Sequence, residues 1–572
     1  MKYLLNIILI LTIAVTFFSC SEKGKTADTI LINGEIVTLD SNNTKAEAVA
    51  IINDKILSVG SNEKILKFKD EKTKVIDLKG KFVCPAFIES HAHFLGLGKS
   101  LLILDLTKAK NWDEIVYLVS EAADKAKPGE WILGRGWHQE KWEPIPEPNI
   151  NGFPYHDNLS KASPFNPVIL THASGHAIFV NKKAMDLAGI TDSTKAPEGG
   201  EIIRNNTGKA IGVFKENAEQ LIQNVYAEWL AKKSAKEKRE LLLAEIRAAE
   251  NECLKYGITT FQDAGSKFDE IDLYKELIDS NKLNIRLYLM INENNKSILA
   301  KGKNYRIIEY GNYLLTVRSI KRYIDGALGS RSALMREDYS DKPGERGIQV
   351  TQISELNEIA DFALENNFQL CIHAIGDKAN NLILNLYEKK FKTKNNSKLL
   401  RWRIEHAQHL LPADISRFAE LGVIPSMQPI HCTSDAPYVT KRLGSKRAKS
   451  GAYVWRRLLD AGSQIPIGTD APVESVNVFS NFYAAVTRKT ASGKEFYPEN
   501  KMTRMEALLG YTLYGAKAAF EEKIKGSIEK GKLADLVVLS NNLLTVPESE
   551  IKNTKVIYTF LGGKIKYQTN IN

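Results

Sequence analysis

Eight short apolar segments, each bounded by turn residues and separated by stretches of helical periodicity, leave this chain few architectures to choose from. They lie at 82–88, 258–262, 285–291, 319–324, 369–372, 402–404, 423–427 and 464–467. A repeated strand–helix order of this length predicts a closed parallel barrel of eight β/α units. The spacing is regular except between 88 and 258, so that gap must hold an insertion. Within it, 131–142 (WILGRGWHQEKW) and 167–181 (PVILTHASGHAIFVN) read as ordered β and loop structure, ahead of a strongly helical 234–256. A folded subdomain is expected over 128–225, on the substrate side.

The two ends read differently. Residues 29–39 (TILINGEIVTL), 48–60 (AVAIINDKILSVG) and 74–83 (KVIDLKGKFV) are short β runs punctuated by Gly and Asn, and 533–539 and 556–567 supply matching pieces. Both termini are therefore expected to complete one discontinuous β-sandwich, 29–82 plus 525–572, outside a barrel spanning 83–524. The fold class is α/β: a (β/α)8 TIM barrel with that sandwich and a large insertion after the first barrel strand.

Ahead of all this, Met1-Lys2 leads an apolar run over 3–18 that ends in Ser19-Cys20-Ser21-Glu22. The run is shorter than the roughly 18 to 20 residues a membrane-spanning helix needs, so 1–20 reads as an export signal and 21–28 as a polar tether. Cys20 stands where bacterial lipoprotein signals are cleaved and acylated, although Phe17-Phe18-Ser19 lacks the usual Leu. The expectation is a lipoprotein anchored to the bacterial cell envelope, with simple secretion or a retained anchor as alternatives. The other cysteines, Cys84, Cys253, Cys371 and Cys432, are widely spaced in apolar runs and form no disulfide or zinc-ribbon pattern.

Lys and Arg total 78 against 68 Asp and Glu, but the net +10 is spread thinly, without the aromatic-interleaved basic stripe that nucleic acid needs. The expected partner is a small-molecule substrate, with membrane contact through the lipid alone and a homodimer left open.

There are only ten histidines, and their placement carries most of the functional signal. His91 and His93 follow the first segment, and the alternation of a strand turns both imidazoles to one side. A lone HxH is weak evidence. His373, however, ends the fifth segment, His406 the sixth and Asp470 the eighth, so all five map to one rim. Barrels build their active sites at the C-terminal ends of their strands. Imidazole with carboxylate suits a divalent ion such as Zn²⁺, Mn²⁺ or Fe²⁺. Lys321, on the fourth segment, would be costly to bury as a cation, so it either faces outward or is modified.

These residues, in this order, resemble the amidohydrolase superfamily, and the interior is similar to its family 3, the YtcJ-like metal-dependent hydrolases. The opening motif there is of a Pro-Gly-Phe-Ile-Asp-x-His-x-His type. Here it reads Pro85-Ala86-Phe87-Ile88-Glu89-Ser90-His91-Ala92-His93, with Ala86 and Glu89 departing from the pattern. The run 321–334 (KRYIDGALGSRSAL) looks like that branch's fourth-strand element, and 526–539 like the closing hairpin. The resemblance implies one or two divalent ions, zinc foremost, held by His91 and His93 on one side and His373 and His406 on the other. It also implies that Lys321 is carboxylated and bridges them, the alternative being a single ion beside an unmodified lysine.

On this basis the expected activity is hydrolysis of a C–N bond in an amide, N-acyl or formamide-like compound, with metal-activated hydroxide as nucleophile and Asp470 as both ligand and base. The resemblance also places His176 and His431 near substrate, each with a packing role as the alternative. Arg331, in the turn 329–331, either anchors an anionic or carbonyl group or locks its loop. Ester or lactone hydrolysis on the same centre, and a non-catalytic metal- or ligand-binding surface lipoprotein, are the competing readings. Substrate identity is not legible in these motifs.

Overall fold

The computed structural model describes residues 25–139, 142–173, 175, 177–197, 200–392 and 397–569. Cys20 and the whole of 1–24 lie outside the described residues, as does His176. Among those described, no helix is long and apolar enough to cross a membrane.

Seven strands pair in parallel, in chain order, around the central body: Phe87–Ala92, Ile258–Ser266, Arg286–Ile291, Leu315–Tyr323, Gln369–Ala374, Arg403–His406 and Ile424–Ser426. They are nearly continuous runs of buried residues, as a sheet covered on both faces requires. The eighth expected segment forms no strand. It closes the gap through one parallel bridge, Met427 to Ile467, and through bonds to the first strand from Ser90 N to Ile467 O at 3.2 Å and from Asp470 N to His91 O at 2.8 Å. Gly468 permits that approach, since a Cβ there would come within 2.5 Å of both Glu89 Oε1 and the His91 amide nitrogen.

The first expected segment proves to be two strands. Phe82–Pro85 belongs to an outer sheet, where it pairs antiparallel with Leu536–Leu539, and the barrel strand begins only at Phe87. The apolar run alone could not show this break, because both strands are fully buried. His91 consequently sits within the barrel strand and His93 just beyond it.

The outer sheet has six strands, in the order Lys564–Gln568, Val556–Leu561, Leu536–Leu539, Phe82–Pro85, Glu35–Val37, Lys45–Ala46. A four-stranded sheet accompanies it, in the order Lys55–Gly60, Ala48–Ile52, Thr29–Ile32, Lys74–Asp77. Strand alternation divides the labour of Leu536–Leu539. Leu536 and Val538 pack into the core shared by the two sheets with Leu31, Val49 and Phe560. Val537 and Leu539 join the large core that surrounds the barrel.

The long gap holds a six-stranded sheet running from Leu104–Asp105 to Ala210–Glu216, so the inserted structure begins earlier than position 128. Trp112, Trp137, Phe153 and Phe179 fill one of its faces, and Ile169, Ile178 and Phe214 the other. The helix Ala235–Lys255 returns the chain to the barrel. Its start is set by a capping box in which Ser234 and Glu237 each accept the other's backbone N–H.

Candidate metal centre

Asp470 is the meeting point of the rim. Its backbone is held in a left-handed conformation, φ 59°, by the bond from its amide to His91 O. Oδ1 lies 3.2 Å from His93 Nε2 and 3.6 Å from His91 Nε2, while Oδ2 lies 3.3 Å from His431 Nε2. Two groups have ligand atoms that all lie within 4.8 Å of one another: His91, His93 and Asp470, and His406, His431 and Asp470. His431, expected near the substrate, joins His406 and Asp470 in the second of these groups, with His373 on the other side of His406 outside it. The His373 ring stacks edge-on against His406, with centroids 4.5 Å apart, and its Nε2 is 3.6 Å from Asp325 Oδ1.

The histidines are oriented from behind. Glu405, wholly buried, meets His91 Nδ1 and is itself held by Arg403, whose Nη2 donates to Oε2 at 2.9 Å. Arg403 also donates to Gln262 Oε1, Ser90 O and Ser426 Oγ, so one guanidinium ties four strands together inside the barrel. Burial works against the charge on Glu405, but Arg403 and His91 outweigh it and hold the carboxyl well below the usual range. Burial and the nearby Lys321 push His91 down to about 4, leaving it a neutral imidazole with Nε2 toward the rim. His406 is oriented in the same way by Gln428, whose Oε1 is 2.7 Å from Nδ1. Burial first, then the neighbouring imidazole, lowers both His373 and His406 well below the ordinary value. Neutral imidazoles with one nitrogen bonded behind and the other free in front are what metal ligation requires.

Alternation along Arg403–His406 directs Arg403 and Glu405 into the barrel and would send His406 outward. A φ of 75° at His406 redirects it, and such non-glycine strain clusters at functional rims. Lys321 is buried, with Nζ 3.4 Å from His91 Nε2 and 5.0 Å from the Tyr323 ring centre. It faces inward, and burial lowers its pKa. His431 behaves oppositely. Burial opposes its charge, but Asp470 and Glu474 raise it to about 10.

Three further residues shape this rim, of which the sequence singles out only Glu89, as a departure from the motif. Glu89 accepts from the amides of His91 and Thr469 and from Thr469 Oγ1, pinning the eighth segment to the first strand. Asp263, in the C-terminal half of the second strand, accepts from the Phe94 amide at 2.7 Å. Asp325 accepts three backbone amides, those of Leu334, Ile375 and Gly376, and so holds the loop carrying Arg331. Arg331 itself is engaged with Asp341, at 2.9 and 3.2 Å, which is the loop-locking arrangement. The signal for Asp263 was present, a carboxylate directly after the apolar segment 258–262, although the strand itself runs on to Ser266. Glu405 and Gln428 each lie within three residues of a histidine.

The donor set fits a divalent cation. His373 Nε2 and Asp470 Oδ1 are buried without a hydrogen-bond partner, an arrangement that is costly unless something at the rim satisfies them. A parallel barrel carrying imidazoles and a carboxylate at its C-terminal mouth defines a metal-dependent hydrolase. A sequence model of the amidohydrolase family matches residues 74–567, and the chain belongs to that family. It is 34% identical over 558 residues, 95% of this chain and 92% of the other, to Protein LONG AFTER FAR-RED 3 of Arabidopsis thaliana. It is 27% identical to the N-substituted formamide deformylase of Arthrobacter pascens, covering 95% of this chain and 98% of that one. Among solved structures, an uncharacterized metal-dependent hydrolase from Pyrococcus horikoshii superposes with a TM-score of 0.74 at 27% identity, over 91% of this chain and 99% of that one.

Proposed function

We propose that the chain hydrolyses a C–N bond of a small amide, N-acyl or formamide-like compound, with Asp470 moving the proton. The observation that carries this reading is the carboxylate itself, placed between His93 and His431 with one oxygen lacking a hydrogen-bond donor. The similarity to a formamide deformylase supports the choice of bond.

His91, His93 and Asp470 would hold one divalent ion and His406 with His373 a second, and Lys321, as an amine or as a carbamate, would add a further donor. An ion bound there lowers the pKa of water from 15.7 to roughly 7 and polarises the carbonyl under attack. Asp470 orients the water, accepts its proton and returns it to the departing nitrogen. Burial and the flanking imidazoles do separate things to that carboxyl. Burial disfavours its charge, whereas His431 and His93 hold it well below the ordinary value, so it is present as a base at neutral pH. Glu405 and Gln428 keep the imidazoles in their ligand tautomers while this happens.

The test is metal analysis of purified protein alongside a panel of formamides, amides and esters, for wild type and Asp470→Asn. The expected result is retained metal with turnover of the amides and formamides reduced at least 10³-fold, the upper range for a lost acid–base group being about 10⁴. Unchanged turnover in the variant would remove Asp470 from the reaction. Hydrolysis of esters alone would replace the C–N reading with an ester one.

A further inference from the structure

At His431 two carboxylates meet one imidazole, one at each ring nitrogen. Nε2 lies 3.3 Å from Asp470 Oδ2, and Nδ1 lies 3.7 Å from Glu474 Oε1. The three side chains are largely withdrawn from water, Glu474 the least, at 24% exposure. Asp435, one helical turn beyond His431, is committed elsewhere: its oxygens accept from Gln408 Nε2 at 3.1 Å and from the hydroxyls of Tyr438 and Tyr453.

The backbone presents these groups from fixed points. His431 stands in the first turn of the helix Pro429–Gly451, where the Ile430 amide donates to Asn481 Oδ1 at 2.7 Å. Asn481 Nδ2 donates in turn to Gly468 O at 2.8 Å, so one buried side chain ties the start of that helix to the segment leading into Asp470. Glu474 follows a turn closed from Val473 N to Asp470 O at 2.8 Å. Three residues further on, Asn477 caps the helix Val478–Thr487. The Glu474 backbone is thereby held between two anchors. A ring bonded at one nitrogen can still turn about that bond, whereas a ring engaged at both keeps its plane and its distance to Asp470.

We infer that Glu474 is a positioning residue for the hydrolytic step, which through His431 fixes the carboxylate of Asp470 in the orientation from which the proton is moved. The inference rests on the reading of Asp470 as the group that moves that proton. Glu474 acts through the imidazole and not on the substrate, so its removal costs rate and leaves binding alone.

The experiment is a double-mutant cycle on the metal-loaded full chain, with Glu474→Ala, Glu474→Gln, His431→Asn and the pair Glu474→Ala with His431→Asn. Turnover is followed on whichever formamide, amide or ester wild type cleaves fastest, and each variant is crystallised. Glu474→Ala should lower kcat about 10- to 100-fold, with KM within about threefold and metal content unchanged. Glu474→Gln, whose amide oxygen still accepts from Nδ1, should recover most of that loss. The double variant should be no slower than His431→Asn alone to within about twofold, because a residue acting through the imidazole has nothing left to position. In crystals of Glu474→Ala the His431 ring should be turned away from Asp470. Full kcat in Glu474→Ala, a loss confined to KM, or losses that multiply in the double variant would overturn the assignment. If wild type cleaves none of the compounds, the hydrolase reading falls and the crystals decide the positioning: a ring displaced in Glu474→Ala sustains it, and a ring unmoved overturns it.

Discussion

The core between the two outer sheets and the interior of the barrel both exclude water, yet they are built from opposite materials. Between the sheets, Leu31, Val49, Leu536, Val538 and Phe560 meet in a cluster of apolar side chains. Inside the barrel, Arg403, Gln262, Glu405, Lys321 and His91 are equally buried, and each depends on a named partner. The apolar core is additive: each contact is weak, non-directional and replaceable. The polar interior is a chain of obligations, since removing one member leaves the next as a buried charge or an unsatisfied donor. The protein places stability in the first region and ligand orientation in the second.

That contrast is open to direct attack. The largest effect is expected for Arg403→Met, which leaves Glu405 ionised in the barrel with only the His91 imidazole beside it. Stability should fall by about 3–5 kcal/mol in denaturant titrations and bound metal should fall with it, because His91 loses its oriented partner. A variant of native stability with a full complement of metal would show that the interior is not one unit.

Leu536→Ala comes next, with an expected loss of about 2–5 kcal/mol from the cavity it opens between the sheets. Here the metal-to-protein ratio and kcat/KM of the folded protein should match wild type. A drop in metal content would mean that the outer sheets do more than support the barrel. The smallest effect on stability belongs to Gln428→Leu, about 1 kcal/mol for one lost hydrogen bond. Its signature lies elsewhere, in a metal affinity reduced about 10- to 100-fold in chelator competition, since His406 is no longer held in one tautomer. An unaltered affinity would reduce Gln428 to a packing residue.

Much of the barrel was legible because its evidence is periodic. Short apolar runs at regular intervals can be counted without knowing what packs on what, and residues at their ends are placed on one rim by topology alone. His91, His93, His406 and Asp470 reach that rim in this way. What periodicity does not convey is where a run of buried residues changes sheets, and the break at Ala86 lies inside such a run. Nor does it convey orientation. Alternation points His406 away from the centre, and only its left-handed backbone turns it back.

Pairings across the barrel were beyond reach for a related reason. Glu405 meets His91 although 314 residues separate them, and Glu89 holds the Thr469 amide although 380 do. Local sequence determined the strands, the helices between them and the residue types offered at each strand end, because backbone propensity and hydrophobic period act over a few neighbours. Tertiary structure alone decided which imidazole joins which ligand group and which carboxylate oxygen stays without a hydrogen-bond partner. Those choices depend on distances between segments remote in the chain, and on the loss of water that makes each unmatched polar atom costly.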